Sequence, residues 1–245
     1  HPAPVAARGI TGFRTMDAVL GALAQAIPYR VPADGEGGNT LISIGGHRPD
    51  GTPYALVDFF AGARGGGFGS DGSEGVSHPA GNTAGSPVEI LEIENPIVID
   101  EYALITDSGG AGEFRGAQSY VKQVTNIGNE ATLQLRSDKR KFPPYGLHGG
   151  STGSPSLNIL NPGPDEDLLP TLAQVPLGHD EVIRHEMAGG GGWGDPLARD
   201  PTAVLEDVID GRVSVEAARS EYGVVLDASG TAVDLEATGA CRMGT

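Results

Sequence analysis

Asp107 and Arg115 are the pair best placed by type and spacing to do chemistry. They stand at the two ends of Asp107-Ser108-Gly109-Gly110-Ala111-Gly112-Glu113-Phe114-Arg115-Gly116, a turn holding four glycines. Glycine accepts positive φ and lets another group come close to the backbone. Successive N–H groups in such a turn can form a nest for an anion or a carboxylate. The same residues also suit a tight hairpin in which Asp107 caps the turn and Arg115 pairs with it. A second stretch, residues 63–83, is a long loop of small residues, where Arg64, Asp71, His78 and Asn82 are the side chains suited to polar chemistry. Loops of this length inside a compact domain tend to be functional or disordered. A third is the basic run Arg136-Ser137-Asp138-Lys139-Arg140-Lys141. It could bind an anionic group or an acidic partner, or it could be a solvated loop balancing nearby acids.

Several chemistries are not signalled. The glycine-rich loop lacks the Lys-Ser/Thr ending of a phosphate-binding P-loop. No Gly-x-Ser-x-Gly elbow is present. The six histidines are scattered. On a strand, His179 and His185 would share a face about 20 Å apart, at roughly 3.3 Å per residue, too far to share one ion. The net charge of −16 argues against a nucleic-acid surface. No apolar run approaches the roughly 20 residues of a membrane helix, and no signal peptide opens the chain. The single Cys241 excludes an internal disulfide and fits a reducing compartment, so the expected location is the cytoplasm.

The elements that position these residues follow from periodicity and punctuation. Met16, Val19, Leu20, Leu23 and Ile27 share one helical face, which predicts a helix over 15–27 with Thr15 as N-cap and Pro28 as its end. Residues 30–39 read as a turn-rich connection. Strands at 40–44 and 54–60 flank Asp50-Gly51, a hairpin signal. Residues 87–93 and 97–104 alternate as a pair of strands, which would set Glu89 and Glu92 on opposite faces. Further strands are expected at 120–124, 131–136, 156–160 and 182–187, with 161–170 an exposed loop. Gly189-Gly190-Gly191-Gly192-Trp193-Gly194-Asp195-Pro196 follows, its Trp a buried anchor. Asp200-Pro201 and Ser214 open two short helices, and 224–226 with 232–235 suggest a closing hairpin. The class is therefore α+β, a strand-dominated core with glycine-rich loops and short helices at both ends. Two units are expected, 1–197 and a helical extension over 198–245.

These motifs, taken together, resemble the hydantoinase B family. The resemblance rests on His1-Pro2-Ala3-Pro4-Val5-Ala6-Ala7-Arg8, Asp71-Gly72, Asn82 with Pro87-Val88-Glu89, the turn 107–116, Arg136-Ser137-Asp138, Phe142-Pro143-Pro144-Tyr145-Gly146 and the run 189–196. It extends from His1 to about Tyr222. Ala117 departs from the pattern, standing where a second glycine is common, a mild change expected at the surface. The family includes B subunits of ATP-dependent hydantoinases, 5-oxoprolinases and caprolactamases, and the matching subunits of acetone and acetophenone carboxylases. The resemblance implies the C-terminal half of such a subunit, with no metal ligand in this chain. It further implies ATP on a hydantoinase A-like ATPase partner, a divalent metal (Mn, Zn or Mg) held by the other half of the B subunit, and a small cyclic amide as substrate. Asp107, Arg115 and Arg136 are then expected at the reacting groups. Arg64, Asn82, Ser108, Gly109 and Gly110 are expected to bind substrate or anion. A ketone carboxylase subunit and a non-catalytic half that only packs the complex are the alternatives.

Overall fold

The structure, a computed structural model, describes residues 8–38, 40–48, 50–81 and 83–244. Residues 1–7 and Asn82, both used above, lie outside the described residues.

Two antiparallel sheets carry the core. In the first, β1 (Thr40–His47) pairs with β2 (Pro53–Phe60) through the expected hairpin, where Gly51 takes φ +84° and Asp50 Oδ1 accepts the Thr52 N–H at 2.9 Å. β2 alternates strictly between exposed and buried residues, so its even positions face inward. β5 (Ala131–Arg136) and β8 (Leu172–Leu177) complete the order β2-β1-β5-β8. The second sheet contains β3 (Ile97–Leu104), β4 (Tyr120–Asn126), β6 (Leu157–Leu160), β7 (Asp167–Leu168) and β9 (Val182–Glu186), in the order β3-β4-β9-β6-β7. Ile44, Phe60, Leu133 and Leu135 of the first sheet, Ile97, Val124 and Ile183 of the second, and Met187 just past β9 share one core. Inside it the Lys122 ammonium is paired with Asp58 of the facing sheet and lies 5.0 Å from the Phe60 ring centre. A buried charge is tolerated when it is paired and covered in this way.

A second kind of core contains no side chains. Residues 189–192 run through the middle of several extended segments, and each N–H donates to a different residue of them. Gly189 bonds Ser154 O at 3.0 Å, Gly190 bonds Ala117 O at 2.9 Å, Gly191 bonds Asp34 O at 2.8 Å and Gly192 bonds Ser151 O at 2.9 Å. In return Gly190 O accepts from Gly110 at 2.8 Å, Gly191 O from Gly66 at 2.9 Å and Gly192 O from Leu147 at 3.0 Å. A Cβ on Gly189, Gly190, Gly191 or Gly192 would overlap the carbonyl oxygen of Ser108, Arg64, Tyr145 or Ala111 respectively. Only glycine permits backbones to close on one another from all sides. Ala117 belongs to this bundle and is fully buried, so the expectation of a surface position is corrected.

Helices flank the sheets. α1 (Arg8–Ala24) starts earlier than predicted, and Thr15 lies within it, donating to Thr11 O at 2.9 Å instead of capping. Pro28 opens a short 3-10 turn over Pro28–Arg30. The predicted strand at 87–93 is a helix, α2 (Val88–Glu94). Its apolar residues alternate in sequence, but packing uses only Leu91, while Ile93 is 84% exposed. Glu92 accepts the Ile99 N–H at 2.8 Å. β8 lay hidden in sequence behind Pro176, which is tolerated because β8 is a sheet edge. The stretch expected as exposed loop contains β7 and buries Leu169.

At the C-terminus Asp200 caps α3 (Pro201–Ile209), accepting from Thr202, and Ser214 caps α4 (Val215–Ser220), accepting from Ala217. The expected closing hairpin reduces to one bridge, Leu226 to Val233, after which Asp234 caps a further helix, α5 (Leu235–Met243). Val204, Val213, Ala218, Tyr222 and Val224 pack together against Ala111 of the glycine-rich turn.

The two kinds of glycine separate in a stability test. Gly189→Ala is expected to lower unfolding free energy by at least about 2–3 kcal/mol, because a backbone oxygen cannot yield to the new methyl. Gly239→Ala, in α5 with open space around it, is expected to raise it by roughly 0.5–1 kcal/mol. Urea denaturation measures both, and equal effects from the two substitutions would refute the close-approach argument.

Candidate functional site

A cavity of about 360 Å³ opens between α1, the turn at residues 29–37, the loop at 62–73, His78 and Tyr145. Its wall brings together the polar side chains of Asp17, Asp34, Glu36, Asp71, His78 and Tyr145, with Arg30 and Arg64 beside them. Asp17 accepts from Arg14 at 2.8 Å and from His78 Nε2 at 2.9 Å. Because the Ala80 N–H donates to His78 Nδ1 at 3.0 Å, the proton on the ring belongs to Nε2. Asp34 is paired with Lys139. Burial raises the Asp34 carboxyl, with Lys139 pulling the other way. Glu36 is 4% exposed, and its carboxylate accepts from the Gly38 N–H at 3.2 Å. Burial lifts it well above the ordinary glutamate range, which favours the neutral acid. Burial likewise raises the Tyr145 phenol, with Asp34 and Asp17 adding to the effect.

Asp71 joins this cavity to a buried charge network. Arg199 forks onto both its oxygens at 2.7 and 2.8 Å, and the Arg115 N–H donates to it at 2.7 Å. Burial pushes the Asp71 carboxyl up, but the Arg199 bonds outweigh it and hold it below the ordinary range. Arg199 also bonds Asp207 at 2.7 Å, and the Arg115 guanidinium reaches Asp207 at 3.3 Å and Glu74 at 3.2 Å.

The residues singled out in the sequence separate accordingly. Arg64 lines the cavity, with Asp71 and His78 from the same loop. Asn82 lies outside the described residues. Asp107, at φ +61°, accepts the Ser214 N–H at 2.7 Å and so holds the start of α4. It does not pair with Arg115, whose acids are Asp207 and Glu74. Ser108 closes the turn, donating to Ile105 O at 2.6 Å and accepting from Ser119 at 2.8 Å. The N–H groups of Gly110, Glu113, Phe114 and Gly116 are donated to backbone carbonyls, and that of Arg115 to a carboxylate, Asp71. Gly109 packs on the Gly116 carbonyl. Arg136 ends β5, level with Leu41 and Leu172, and is not among the residues lining the cavity. In the basic run, Lys139 balances Asp34 and Asp138 pairs with Arg14 at 2.6 Å.

Asp17, Asp34, Glu36, Arg30 and Tyr145 were not anticipated as site residues. The available signal was Asp34-Gly35-Glu36-Gly37-Gly38, two acids in a turn too short to need them. Among the described residues no group of three or more His, Cys, Asp or Glu side chains is placed to hold a metal ion. The cavity acids fit none, since Asp17, Asp34 and Asp71 are each committed to a cation of the chain itself. No helix among the described residues is long and apolar enough to cross a membrane.

An α+β chain that sets a charged cavity on a glycine-only core defines the class. The chain belongs to the hydantoinase B/oxoprolinase family, whose sequence profile matches residues 1–196. The caprolactamase beta subunit of Pseudomonas jessenii is 36% identical over 257 residues, covering 99% of this chain and 43% of that protein. The B subunit of a putative D-/L-hydantoinase from Pseudomonas sp. strain NS671 is 29% identical over 244 residues, covering 98% of this chain and 40% of that protein. The crystal structure of the ATP-dependent caprolactamase from Pseudomonas jessenii superposes with a TM-score of 0.78 at 29% identity, over 91% of this chain and 40% of that one. The nucleotide-free structure of acetone carboxylase shares the fold, with a TM-score of 0.74 at 22% identity over 91% of this chain and 34% of that one. This chain therefore spans about two fifths of the length of the curated relatives it matches.

Two measurements test the network and the cavity wall. Arg115→Ala removes a buried cation from Asp207 and is expected to cost roughly 3–5 kcal/mol of stability. Unchanged stability with lost turnover would instead place Arg115 at the substrate. For Glu36, a raised native pKa means that the folded state holds a proton the unfolded chain has released. Stability then falls as pH rises above the ordinary glutamate range. Glu36→Gln removes that slope, so the variant is expected to be more stable than wild type at pH 8 and equal to it near pH 4, as measured by thermal unfolding across pH. Parallel pH profiles would show Glu36 ionised in the fold.

Proposed function

We propose that this chain is part of an ATP-dependent enzyme complex that opens a cyclic amide of the hydantoin, 5-oxoproline or lactam type. The observation that carries this reading is the cavity, within the region that matches the family and of the size that takes a small ring. The likeness to the caprolactamase chain over almost the whole length of this one supports the same choice of reaction. Amides resist attack at neutral pH. An actin-like, hydantoinase A-type ATPase partner would phosphorylate the ring carbonyl oxygen and so make its carbon electrophilic. Attack by water then breaks the ring C–N bond and leaves a free amine and an acyl phosphate, whose hydrolysis by a second water frees the carboxylate and phosphate. A divalent metal (Mn, Zn or Mg) would supply activation of the first water, with its ligands in the part of the relatives' chains that this chain does not span.

The role assigned to this chain is positioning. Arg64 faces the charge carried by the phosphorylated ring, with Asn82 further along the same loop. Glu36 keeps a proton on a carboxyl oxygen in the cavity wall, a hydrogen-bond donor toward the ring. Asp107, Ser108, Gly109, Gly110 and Arg115 act by fixing the wall, and Arg136 acts from outside the cavity.

The test is an assay of the assembled complex. Hydantoin, 5-oxoproline and caprolactam are supplied with ATP, and ring opening is measured beside ADP release. Ring opening coupled to ADP release on at least one of them is expected. ATP use that instead requires acetone or acetophenone with bicarbonate would make the complex a ketone carboxylase and overturn the reading.

A further inference from the structure

The cavity sits in a strongly acidic chain, and most of the acids in its wall are engaged by cations of the chain itself. Asp17 is paired with Arg14 and accepts from the His78 Nε2–H, Asp34 is paired with Lys139, and Asp71 with Arg199. Glu36, buried and bonded among the described residues through Gly38, leans to its neutral form. Two cations that line the same space, Arg30 and Arg64, are exposed and form no ion pair among the described residues. Arg64 donates a long bond of 3.3 Å to Ser77 O. Beside them are two aromatic side chains that also line the cavity, Tyr29 at 65% and Phe68 at 58% exposure, their rings 5.1 Å apart and edge to face. Aromatic rings left this open at the mouth of a cavity offer a surface for a flat or cyclic group.

We propose that Arg30 and Arg64 form the subsite for the phosphoryl group of a phosphorylated ring, with Tyr29 and Phe68 flanking the ring. The inference rests on the cyclic-amide reading and adds to it where the intermediate's charge is held and by which residues. A guanidinium presents a planar fork of N–H donors that matches phosphate oxygens. Two such forks without carboxylate partners attract a dianion more than either does alone, and the acidic surface elsewhere repels it. The exposed position of both arginines keeps the subsite open to an intermediate made on another subunit.

The shared chemistry is a phosphate dianion, and its source is either the phosphorylated ring or free phosphate. Titration of the 245-residue chain with phenyl phosphate and, separately, with inorganic phosphate distinguishes them. Amide shifts of residues 65–69 report binding by NMR. Phenyl phosphate is expected to bind several-fold more tightly than inorganic phosphate. Arg30→Ala and Arg64→Ala are each expected to weaken it by about tenfold, while Arg48→Ala on the first sheet leaves it unchanged. Absence of saturable binding overturns the proposal, as does binding that survives in the Arg30→Ala/Arg64→Ala double variant. Equal affinity for the two probes overturns the ring-flanking role. Coupled ring opening by the assembled complex without phosphate-ester binding removes this subsite and leaves the function standing. Phenyl phosphate binding lost in both variants, with no ring opening on any lactam, supports the subsite and removes the cyclic-amide reading.

Discussion

Close approach of backbone to backbone around residues 189–192 is the constraint on which the rest of the structure depends. A segment buried on all sides must satisfy every peptide group, and here it does so by giving successive N–H groups to four separate partners. Those contacts reach the cavity. The Gly191 N–H holds the Asp34 carbonyl, the Arg64 carbonyl lies where a Cβ of Gly190 would be, and the Tyr145 carbonyl where one of Gly191 would be. Three residues of the cavity wall thus hang on one run of glycines. A displacement of that run moves all three together, so the packing that stabilises the fold also sets the spacing of the site.

Charge does a related task at the C-terminal side. The helices beyond Asp200 bury a modest apolar cluster, and their attachment is reinforced by Arg199, Asp207 and Arg115. Each of these ions is buried, and each is held by more than one partner, which is the condition under which a buried charge does not destabilise. Asp71 belongs both to this network and to the cavity wall. The acidic excess of the chain is therefore carried mainly at its surface, while Asp34, Asp58 and Asp207 in the interior each face a cation.

Much of the fold was legible in the sequence. The β1–β2 hairpin followed from alternation around Asp50-Gly51, and the caps at Asp200 and Ser214 from residue type alone. The family motifs were legible because the close contacts of the glycines fix residue types in fixed order. What was not legible has physical causes. α2 alternates apolar and acidic residues like a strand, but only Leu91 has a place to be buried. β8 carries a proline, and α5 has a cap but a weak apolar face. The cavity was half visible, since Arg64, Asp71 and His78 are the polar groups of a loop otherwise made of small residues. Asp34 and Glu36 were invisible because their partners, Lys139 and Gly38, are set by the fold and by a turn that spacing does not reveal.

The turn at 107–116 shows how the two layers of the molecule divide their work. Its acid, base and glycines have the spacing of a reactive site, yet the side chains of Asp107, Ser108 and Arg115 each have an internal partner and each glycine a backbone against it. Groups so committed have little freedom to engage a ligand, because binding would strand a buried donor or acceptor. Freedom lies in exposed side chains that no carboxylate holds, as Arg30 and Arg64 are, beside Tyr29 and Phe68, which pack on Trp193 yet keep more than half of their surface exposed. Such residues can change without disturbing the glycine bundle beneath them, whereas the bundle admits no substitution that adds a Cβ. A scaffold with this division can hold its geometry while the chemistry at its mouth varies, which is what a single fold shared by enzymes with different substrates requires.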